Sequence, residues 1–279
     1  MKTMRDILVV GSGGYIGSRY MEYLMQRGVD WMQGIDLNIY ANCDGAVVKD
    51  VADLPAEFFR DKVVIYFAGF HREPDDMVDP VAWEQAYRDL MIRVPVRIAS
   101  TCSHMIYISS MRAITDSGLY GRTKARAERA LCRFSNTTCV RFGTIWGDLR
   151  ADSFFPNRPN TAVNYALTRK QFKGDHWTAF TTHMHKAITF LYERTMELTD
   201  PNKTPAGVCY SGGTIENVVD INRPLVAREI RMLLHNSHKY APLQRAFLRE
   251  RCTLKDLTQD TDAAERLYIY HGLKWGKNA

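Results

Sequence analysis

Short apolar runs alternate with segments of helical periodicity through the first half of the chain. Residues 6–10 are an apolar, β-branched run that ends at a glycine, and residues 15–27 carry apolar positions at helical spacing. The same patterns predict further strands at residues 31–35, 47–48, 62–68, 105–108 and 138–142, and further helices at residues 80–100 and 118–134. Strands that alternate with helices in this way are typical of an α/β fold with a doubly wound parallel sheet.

The second half of the chain is less regular. After a loop rich in proline and asparagine, residues 161–172 and 183–198 have helical spacing, and residues 208–210 predict a late strand before two glycines. We therefore expect one domain over residues 1–148, followed by a smaller, mixed C-terminal lobe over residues 149–279. Some segments of this lobe are expected to return to the sheet of the first domain.

Composition places the chain among globular proteins and argues against several functional classes. Apolar residues make up 46% of the 279 residues, no stretch approaches the ~20 apolar residues of a membrane span, and the start lacks a secretory signal pattern. The six cysteines are scattered without a C-x-x-C pair, which indicates reduced thiols, a cytoplasmic location and no metal site. The basic residues are dispersed, so an anionic small molecule or a solvated surface explains the net charge of +6 better than nucleic acid does.

Three glycines follow the first predicted strand at a spacing with chemical meaning. Gly11, Gly14 and Gly17 form a G-x-x-G-x-x-G pattern between this strand and the next helix. Such glycines permit a tight turn, a close approach of the backbone to phosphate, and close packing of helix on sheet. The N-terminus of the helix adds N–H groups and the positive end of its dipole. The pattern predicts a site for a dinucleotide pyrophosphate, with an ordinary strand–helix turn as the alternative.

Asp36 ends the next predicted strand and bears on the kind of dinucleotide. A carboxylate at this position accepts hydrogen bonds from a ribose 2′-hydroxyl and repels a 2′-phosphate. No arginine follows it, since the next residues are Leu37, Asn38 and Ile39. The sequence therefore favours NAD over NADP, with a simple turn residue at the strand end as the alternative.

A tyrosine and a lysine lie four residues apart in the predicted helix at residues 118–134. Tyr120 and Lys124 therefore share a helix face, and Ser110 comes ten residues before the tyrosine, directly after a predicted strand. We expect the ammonium group to lower the pKa of the phenol, so that Tyr120 removes a proton from a hydroxyl while hydride leaves the same carbon. Ser110 would hydrogen-bond the reacting oxygen. Without the glycine pattern, an amphipathic helix face would explain the pair equally well.

These residues resemble the short-chain dehydrogenase/reductase superfamily, specifically its extended branch of NAD-dependent nucleotide-sugar epimerases and dehydratases. The glycine spacing is that of the extended branch. Further segments are similar to the family in the same order along the chain: Asp50, Phe67-Ala68-Gly69, Asp79-Pro80, Tyr107-Ile108-Ser109-Ser110, residues 141–147, residues 207–213 and residues 272–275. The resemblance spans the chain and is specific over the first 147 residues.

The resemblance implies a Rossmann-type fold, NAD as the cofactor, a nucleotide-sugar as the substrate, and Ser110, Tyr120 and Lys124 as catalytic residues. The cofactor-binding positions that it implies are Gly11, Gly13, Gly14, Tyr15, Ile16, Gly17, Asp36, Leu37, Asp50, Val51, Phe67, Ala68, Gly69, Ser109, Tyr120, Lys124, Phe142 and Gly143. The substrate positions are His71, Ser110, Met111, Thr144, Asn160 and Asn164. Family members commonly dimerise through two helices, here near residues 80–100 and 118–134, which predicts a homodimer that binds neither nucleic acid nor membranes.

Some positions depart from the family pattern, and they bear on the substrate. Thr144 stands where an asparagine that contacts the substrate is usual, and Tyr87 stands where the family usually has another asparagine. Met111 and Arg112 replace the acidic residues that follow the catalytic hydroxyl in 4,6-dehydratases. This replacement disfavours a dehydration reaction.

Three functions remain open from the sequence. The leading hypothesis is a 4-epimerase-like enzyme, in which tightly held NAD takes hydride from a sugar carbon and returns it to the other face. The second is a net NAD-dependent dehydrogenase or ketoreductase that acts on a sugar or another small alcohol. The third is a catalytically idle relative that senses NAD or binds RNA. Such a relative is expected to lack the tyrosine or the lysine, and both are present.

Overall fold

The computed structural model describes residues 4–37, 46–70, 79–115, 118–146, 178–200, 213–219 and 225–226. Its strands are β1 Ile7–Val10, β2 Met32–Asp36, β3 Ala46–Val48, β4 Val63–Tyr66, β5 His104–Ser110, β6 Thr137–Phe142, β7 Thr144–Trp146, β8 Thr178–Ala179, β9 Thr181–His183, β10 Thr214–Val218 and β11 Leu225–Val226. Its helices are α1 Tyr15–Gln26, α2 Pro80–Arg88, α3 Val94–Ala99, α4 Arg112–Thr115, α5 Gly118–Leu131 and α6 Met184–Thr199, with a 3-10 helix at Ala56–Phe59 and a π-helix at Asp89–Arg93.

Seven of these strands form one sheet in which every neighbouring pair is parallel. The strand order is β3-β2-β1-β4-β5-β6-β10, so the direction of winding changes between β1 and β4. Ile7 of β1 pairs with Met32 of β2 on one side and with Val63 of β4 on the other. This is the order of a doubly wound Rossmann-type sheet, and it confirms the predicted fold class. The carboxyl ends of β1, β4 and β5 therefore lie side by side, where ligands bind in such sheets.

The central strands are buried on both faces. One face carries alternate residues such as Leu8, which belong to the same buried cluster as Leu131 of α5. The residues between them, such as Ile7, point to the other face and are also fully buried. α1 and α6 contact each other through a buried hydrogen bond of 2.7 Å from the Tyr20 hydroxyl to the Thr195 hydroxyl. Burial on both faces explains why these strands are continuous apolar runs in the sequence.

The predicted helix at residues 80–100 contains a π-helical turn at Asp89–Arg93. Pro95 accounts for this turn, because it has no N–H to donate to the carbonyl oxygen of Met91 four residues earlier. That oxygen instead accepts a hydrogen bond from the hydroxyl of Tyr107, at 3.0 Å. The π-helical turn therefore ties this helical run to the middle of β5.

The chain divides into two compact units. The first consists of Met1–Phe142 and Lys186–Val218 and contains the seven-stranded sheet. The second consists of Gly143–His185 and Val219–Ala279. Among its described residues, β7 pairs with β9 in parallel, and β8 pairs with β11 in an antiparallel arrangement.

The sequence pattern missed β10, because only two of its five residues, Ile215 and Val218, are apolar. This strand pairs with β6 at the edge of the sheet, and its pattern of burial is mixed. The predicted helix at residues 161–172 and the predicted strand at residues 208–210 lie outside the described residues. Within the part of the chain that the structure describes, no helix is long and apolar enough to cross a membrane.

Candidate active site

The turn after β1 requires glycine at two positions. Gly11 has a φ of +82°, and a Cβ on it would lie 2.7 Å from the backbone nitrogen of Ala68. A Cβ on Gly17 would lie 2.2 Å from the carbonyl oxygen of Gly11. The N–H of Gly11 also donates to the carbonyl oxygen of Ile35 in β2, at 2.8 Å. The start of α1 is thus packed closely on the ends of β1, β2 and β4.

The N-terminus of α1 fits an anionic group. Gly14 is its N-cap, no side chain caps it, and its first turn has no acidic residue. No residue of that turn therefore neutralises the positive end of the helix dipole. One carboxylate oxygen of Asp36 accepts a hydrogen bond of 2.9 Å from the N–H of Gly13, so this side chain lies at the same turn. The turn combines a site for a phosphate with an acceptor for a hydroxyl group.

Comparison of Gly11 with Gly28 separates two reasons why a position requires glycine, a positive φ and a close contact with neighbouring backbone. Both have positive φ, +82° and +72°, but a Cβ on Gly28 would have nothing within 4 Å. We expect Gly28→Ala to lower the free energy of unfolding by about 1–2 kcal/mol, from the left-handed backbone alone. Gly11→Ala should lower it by about 1–3 kcal/mol more, since its Cβ overlaps the backbone of Ala68. Urea unfolding measures both, and equal losses would contradict the tight packing of this turn.

The remaining positions predicted for a cofactor follow the sheet at its carboxyl edge. In the first unit they are Leu37 after β2, Asp50 and Val51 after β3, Phe67, Ala68 and Gly69 after β4, Ser109 in β5 and Phe142 at the end of β6, with Tyr15 and Ile16 in the first turn of α1. The parallel sheet therefore brings residues from distant parts of the sequence to one edge. Gly143 begins the second unit, where its N–H donates to the hydroxyl of Thr182, at 2.8 Å. The role of these residues in binding stays a prediction.

The structure brings Ser110, Tyr120 and Lys124 together. Ser110 ends β5, and its hydroxyl hydrogen-bonds the phenol of Tyr120, which lies in the first turn of α5. The Nζ of Lys124 is 5.9 Å from the centroid of the Tyr120 ring. Lys124 is only 3% exposed, and its Nζ donates a hydrogen bond of 2.6 Å to the carbonyl oxygen of Ile108. β5 and α5 thus bring the Ser110 hydroxyl, the Tyr120 phenol and the Lys124 amine close together.

The pKa of Tyr120 differs in direction from the sequence prediction. Burial raises the pKa of this phenol above 10.0, while the hydrogen bond with Ser110 and the positive charge of Arg112 act against the rise. Lys124 does not lower the pKa of Tyr120 as predicted, because its Nζ is directed at the carbonyl oxygen of Ile108 and lies 4.4 Å from the ring centroid of Tyr107. In this structure the phenol therefore holds its proton at neutral pH.

Burial also changes the protonation of Lys124, which leads to a pH-dependent stability. It lowers the pKa of this amine from 10.5 to about 7, although Cys139 and Glu128 act in the opposite direction. Between these two pH values the unfolded chain binds a proton that the folded chain has released. The free energy of unfolding should therefore rise with pH from about 7 to about 10, by at most about 1.4 kcal/mol per unit. Urea unfolding of Lys124→Met should show a smaller rise, and parallel pH profiles for both proteins would contradict the prediction.

A buried ion pair next to this group was not anticipated from the sequence. The Glu128 side chain is 3% exposed and accepts hydrogen bonds from Nε and a terminal nitrogen of Arg141, at 2.8 and 2.5 Å. The same carboxylate accepts a hydrogen bond of 2.5 Å from the hydroxyl of Ser109. Glu128 follows Lys124 by four residues, so its place on the same helix face was the available signal. The pair joins α5, β5 and β6 beside Ser110.

The positions predicted for a substrate are divided between the two units. Ser110 and Met111 belong to the unit that contains Tyr120, and Met111 is buried with its N–H donating to the carbonyl oxygen of Phe142, at 2.9 Å. Thr144 belongs to the second unit, where its N–H donates to a neighbouring carbonyl oxygen at 2.7 Å. The other three positions, His71, Asn160 and Asn164, lie outside the described residues.

Comparison with known proteins identifies the fold. No protein-family model and no curated protein sequence matches the chain. A short-chain dehydrogenase/reductase superfamily protein from Agrobacterium tumefaciens, solved with bound NAD, is 16% identical, with 83% of this chain and 82% of that chain covered and a TM-score of 0.59. The UDP-glucuronic acid 4-epimerase from Bacillus cereus, in complex with NAD, is 17% identical, with 82% of each chain covered and a TM-score of 0.59.

A third similar structure is the UDP-N-acetylglucosamine 4-epimerase from Methanobrevibacter ruminantium M1, in complex with UDP-N-acetylmuramic acid. It is 13% identical, with 84% of this chain and 82% of that chain covered and a TM-score of 0.61. At these identities the likeness lies in the backbone. The chain therefore has the fold of the short-chain dehydrogenase/reductase superfamily.

Proposed function

We propose that the chain is an NAD-dependent enzyme that modifies a nucleotide-sugar, and that it works as a 4-epimerase. The observation that carries this proposal is the convergence of Ser110, Tyr120 and Lys124 at the end of β5, in the same sheet as the glycine turn after β1. One strand separates β1 from β5, and neighbouring strands are about 4.8 Å apart, so the two features are about 10 Å apart across the sheet. One dinucleotide is long enough to span that separation.

The glycine turn, the N-terminus of α1 and Asp36 are the residues that would hold NAD. The N–H groups at the start of α1 would bind the pyrophosphate. Asp36 would accept a hydrogen bond from a ribose hydroxyl and repel the 2′-phosphate of NADP. When bound, NAD supplies the hydride acceptor and donor. The other predicted positions at the carboxyl edge of the sheet, from Asp50 to Phe142, would line the same site.

The residues of the chain would move the proton and hold the substrate oxygen. Tyr120 would take a proton from a sugar hydroxyl and later return it, while Ser110 hydrogen-bonds the same oxygen. The raised pKa of Tyr120 already includes the effect of Arg112, which lies 5.5 Å from the ring centroid. Tyr120 would therefore become a base only when further positive charge approaches its ring. Lys124 would also relay a proton, since its pKa of about 7 allows both protonation states.

The substrate class rests on the similar structures and on one departure in the sequence. Two of the three proteins compared above are 4-epimerases for sugars linked to UDP. Met111 follows the catalytic serine where dehydratases of the resembled family have acidic residues, which favours epimerisation over dehydration. His71, Thr144, Asn160 and Asn164 are the further residues proposed to contact the sugar nucleotide. We also propose a homodimer formed through α5 and the helical run that contains α2 and α3.

The first test uses the protein as purified, without added cofactor. It is denatured, and any released nucleotide is identified by mass spectrometry together with its oxidation state. Stoichiometric NAD supports the epimerase, because the hydride must stay on the enzyme through the cycle, and UDP-, GDP- and dTDP-sugars are then screened for isomerisation. An empty protein that binds added NAD reversibly would instead support a net dehydrogenase. A protein that binds neither NAD nor NADP would overturn the proposed function.

A further inference from the structure

One face of α5 carries four chemically active side chains, and the proposed reaction uses only the first two. Tyr120, Lys124, Glu128 and Cys132 follow each other at intervals of four residues, so they lie in one row. Cys132 comes directly after the last residue of α5, and its N–H still donates to the carbonyl oxygen of Glu128, at 2.8 Å. At a rise of 1.5 Å per residue it is about 12 Å from Lys124 along the helix.

Cys132 faces a second cysteine across the helix–sheet boundary. The thiol of Cys132 hydrogen-bonds the thiol of Cys139, which lies in β6. Cys139 is two residues before Arg141, so both side chains point to the same side of β6. Two neighbouring non-covalent contacts therefore join α5, or the residue directly after it, to β6. One is the ion pair of Glu128 with Arg141, and the other is the hydrogen-bonded thiol pair of Cys132 with Cys139.

The two thiols differ in the way that an attacking and a resolving cysteine differ. Cys132 is partly exposed, whereas Cys139 is buried. The hydrogen bond from Cys139 lowers the pKa of Cys132 to about 7, and the nearby charge of Arg141 acts in the same direction. The same hydrogen bond, together with burial, raises the pKa of Cys139. The thiol of the less buried residue is thus the more nucleophilic one at neutral pH, and its partner is already in contact with it.

We propose that Cys132 and Cys139 form a site of reversible oxidation to a disulfide, and that its oxidant is a small-molecule disulfide of the glutathione type. In the first step the Cys132 thiolate attacks one sulfur of the oxidant, and the other sulfur leaves as a thiolate. In the second step Cys139 loses its proton to that thiolate and attacks the sulfur of Cys132, which releases the second small thiol. In total the protein loses two electrons and two protons, and the oxidant gains them as two small thiols.

Oxidation at this site would be transmitted to the row of side chains that includes Lys124. A disulfide has fixed lengths and angles, so it would set the distance between the end of α5 and β6. The neighbouring contact of Glu128 with Arg141 spans the same two elements and also holds Ser109. The existence of the disulfide does not depend on the proposed function, whereas an effect of the disulfide on turnover rests on it.

The test equilibrates the full-length protein with oxidised and reduced glutathione at graded ratios, followed by alkylation and mass spectrometry. We expect Cys132 and Cys139 to lose alkylation together, the mass to fall by two hydrogens, and the peptides that contain them to be cross-linked. Addition of excess reduced glutathione should restore both thiols. This readout uses no NAD and no sugar, so it distinguishes failure of the disulfide from failure of the proposed function.

Single variants identify the order of the steps. Cys139→Ser should trap glutathione on Cys132, and Cys132→Ser should leave Cys139 unmodified, because the buried thiol is not the one attacked. Cys102→Ser, at the other described buried cysteine, is the matched control and should oxidise like the wild type. Two thiols that stay alkylated at every ratio in the wild-type protein would overturn the proposal. Glutathione that persists on Cys132 of the wild type without a cross-link would also overturn it.

Discussion

Tyr120→Phe should reduce turnover by about 10²–10⁴-fold, far more than any change in the binding of NAD, and leave the fold unchanged. The variant removes only the phenolic oxygen, which hydrogen-bonds Ser110, and keeps the ring that packs among Tyr87, Met91 and Leu119. Without that oxygen, no described group in contact with Ser110 can exchange the substrate proton. The rate of isomerisation with the substrate found by the screen measures the loss, and titration with NAD measures cofactor binding.

Tyr23→Phe is the matched control for this substitution. It removes the same atom from a tyrosine of α1, whose hydroxyl accepts a hydrogen bond from Arg27 at 2.8 Å, away from the glycine turn and from β5. Its turnover should equal that of the wild type. If Tyr120→Phe also turned over at the wild-type rate, Tyr120 would not be the proton acceptor, and the catalytic assignment would fail.

The sequence predicted the features that follow from local patterns. Buried parallel strands must be apolar on both faces, so β1, β4 and β5 are readable as continuous apolar runs. The turn at Gly11 needs a positive φ and room for close backbone packing, and glycine meets both requirements. The spacing of the glycines in the sequence therefore predicts the turn. Tyr120 and Lys124 share a helix face by periodicity alone. Each of these inferences depends on neighbours along the chain.

The features that the sequence did not predict depend on contacts between distant segments. The π-helical turn arises because Pro95 leaves the carbonyl oxygen of Met91 to Tyr107, a residue of another element. The raised pKa of Tyr120 depends on how far the surrounding fold removes the phenol from water, and the spacing of the residues does not contain that information. β10 is mixed in polarity and becomes a strand only because β6 is there to pair with it.

Glu128→Ala should lower the free energy of unfolding by about 2–3 kcal/mol, because it leaves the partly buried guanidinium of Arg141 without its carboxylate. The hydroxyl of Ser109 loses its acceptor in the same variant. Urea unfolding measures the loss. The matched control is Glu84→Ala, which removes an exposed carboxylate 3.7 Å from Arg88 and 3.9 Å from Arg126, and which should change the free energy of unfolding by at most about 1 kcal/mol.

A double variant tests whether the loss in Glu128→Ala comes from a charge that is left without its partner. Glu128→Leu with Arg141→Met replaces both charges by apolar side chains of similar size, so no charge is left buried without a partner. We expect the double variant to recover most of the stability that Glu128→Ala loses, since apolar replacements of buried ion pairs are often neutral. An equal loss in both variants would mean that the hydrogen bonds from Arg141 and Ser109 to Glu128 stabilise the fold, and that the unpaired guanidinium is not the cause of the loss. Recovery of stability without recovery of turnover would assign the pair to the positioning of Ser109 and Ser110 at the end of β5, where the proposed proton transfer takes place.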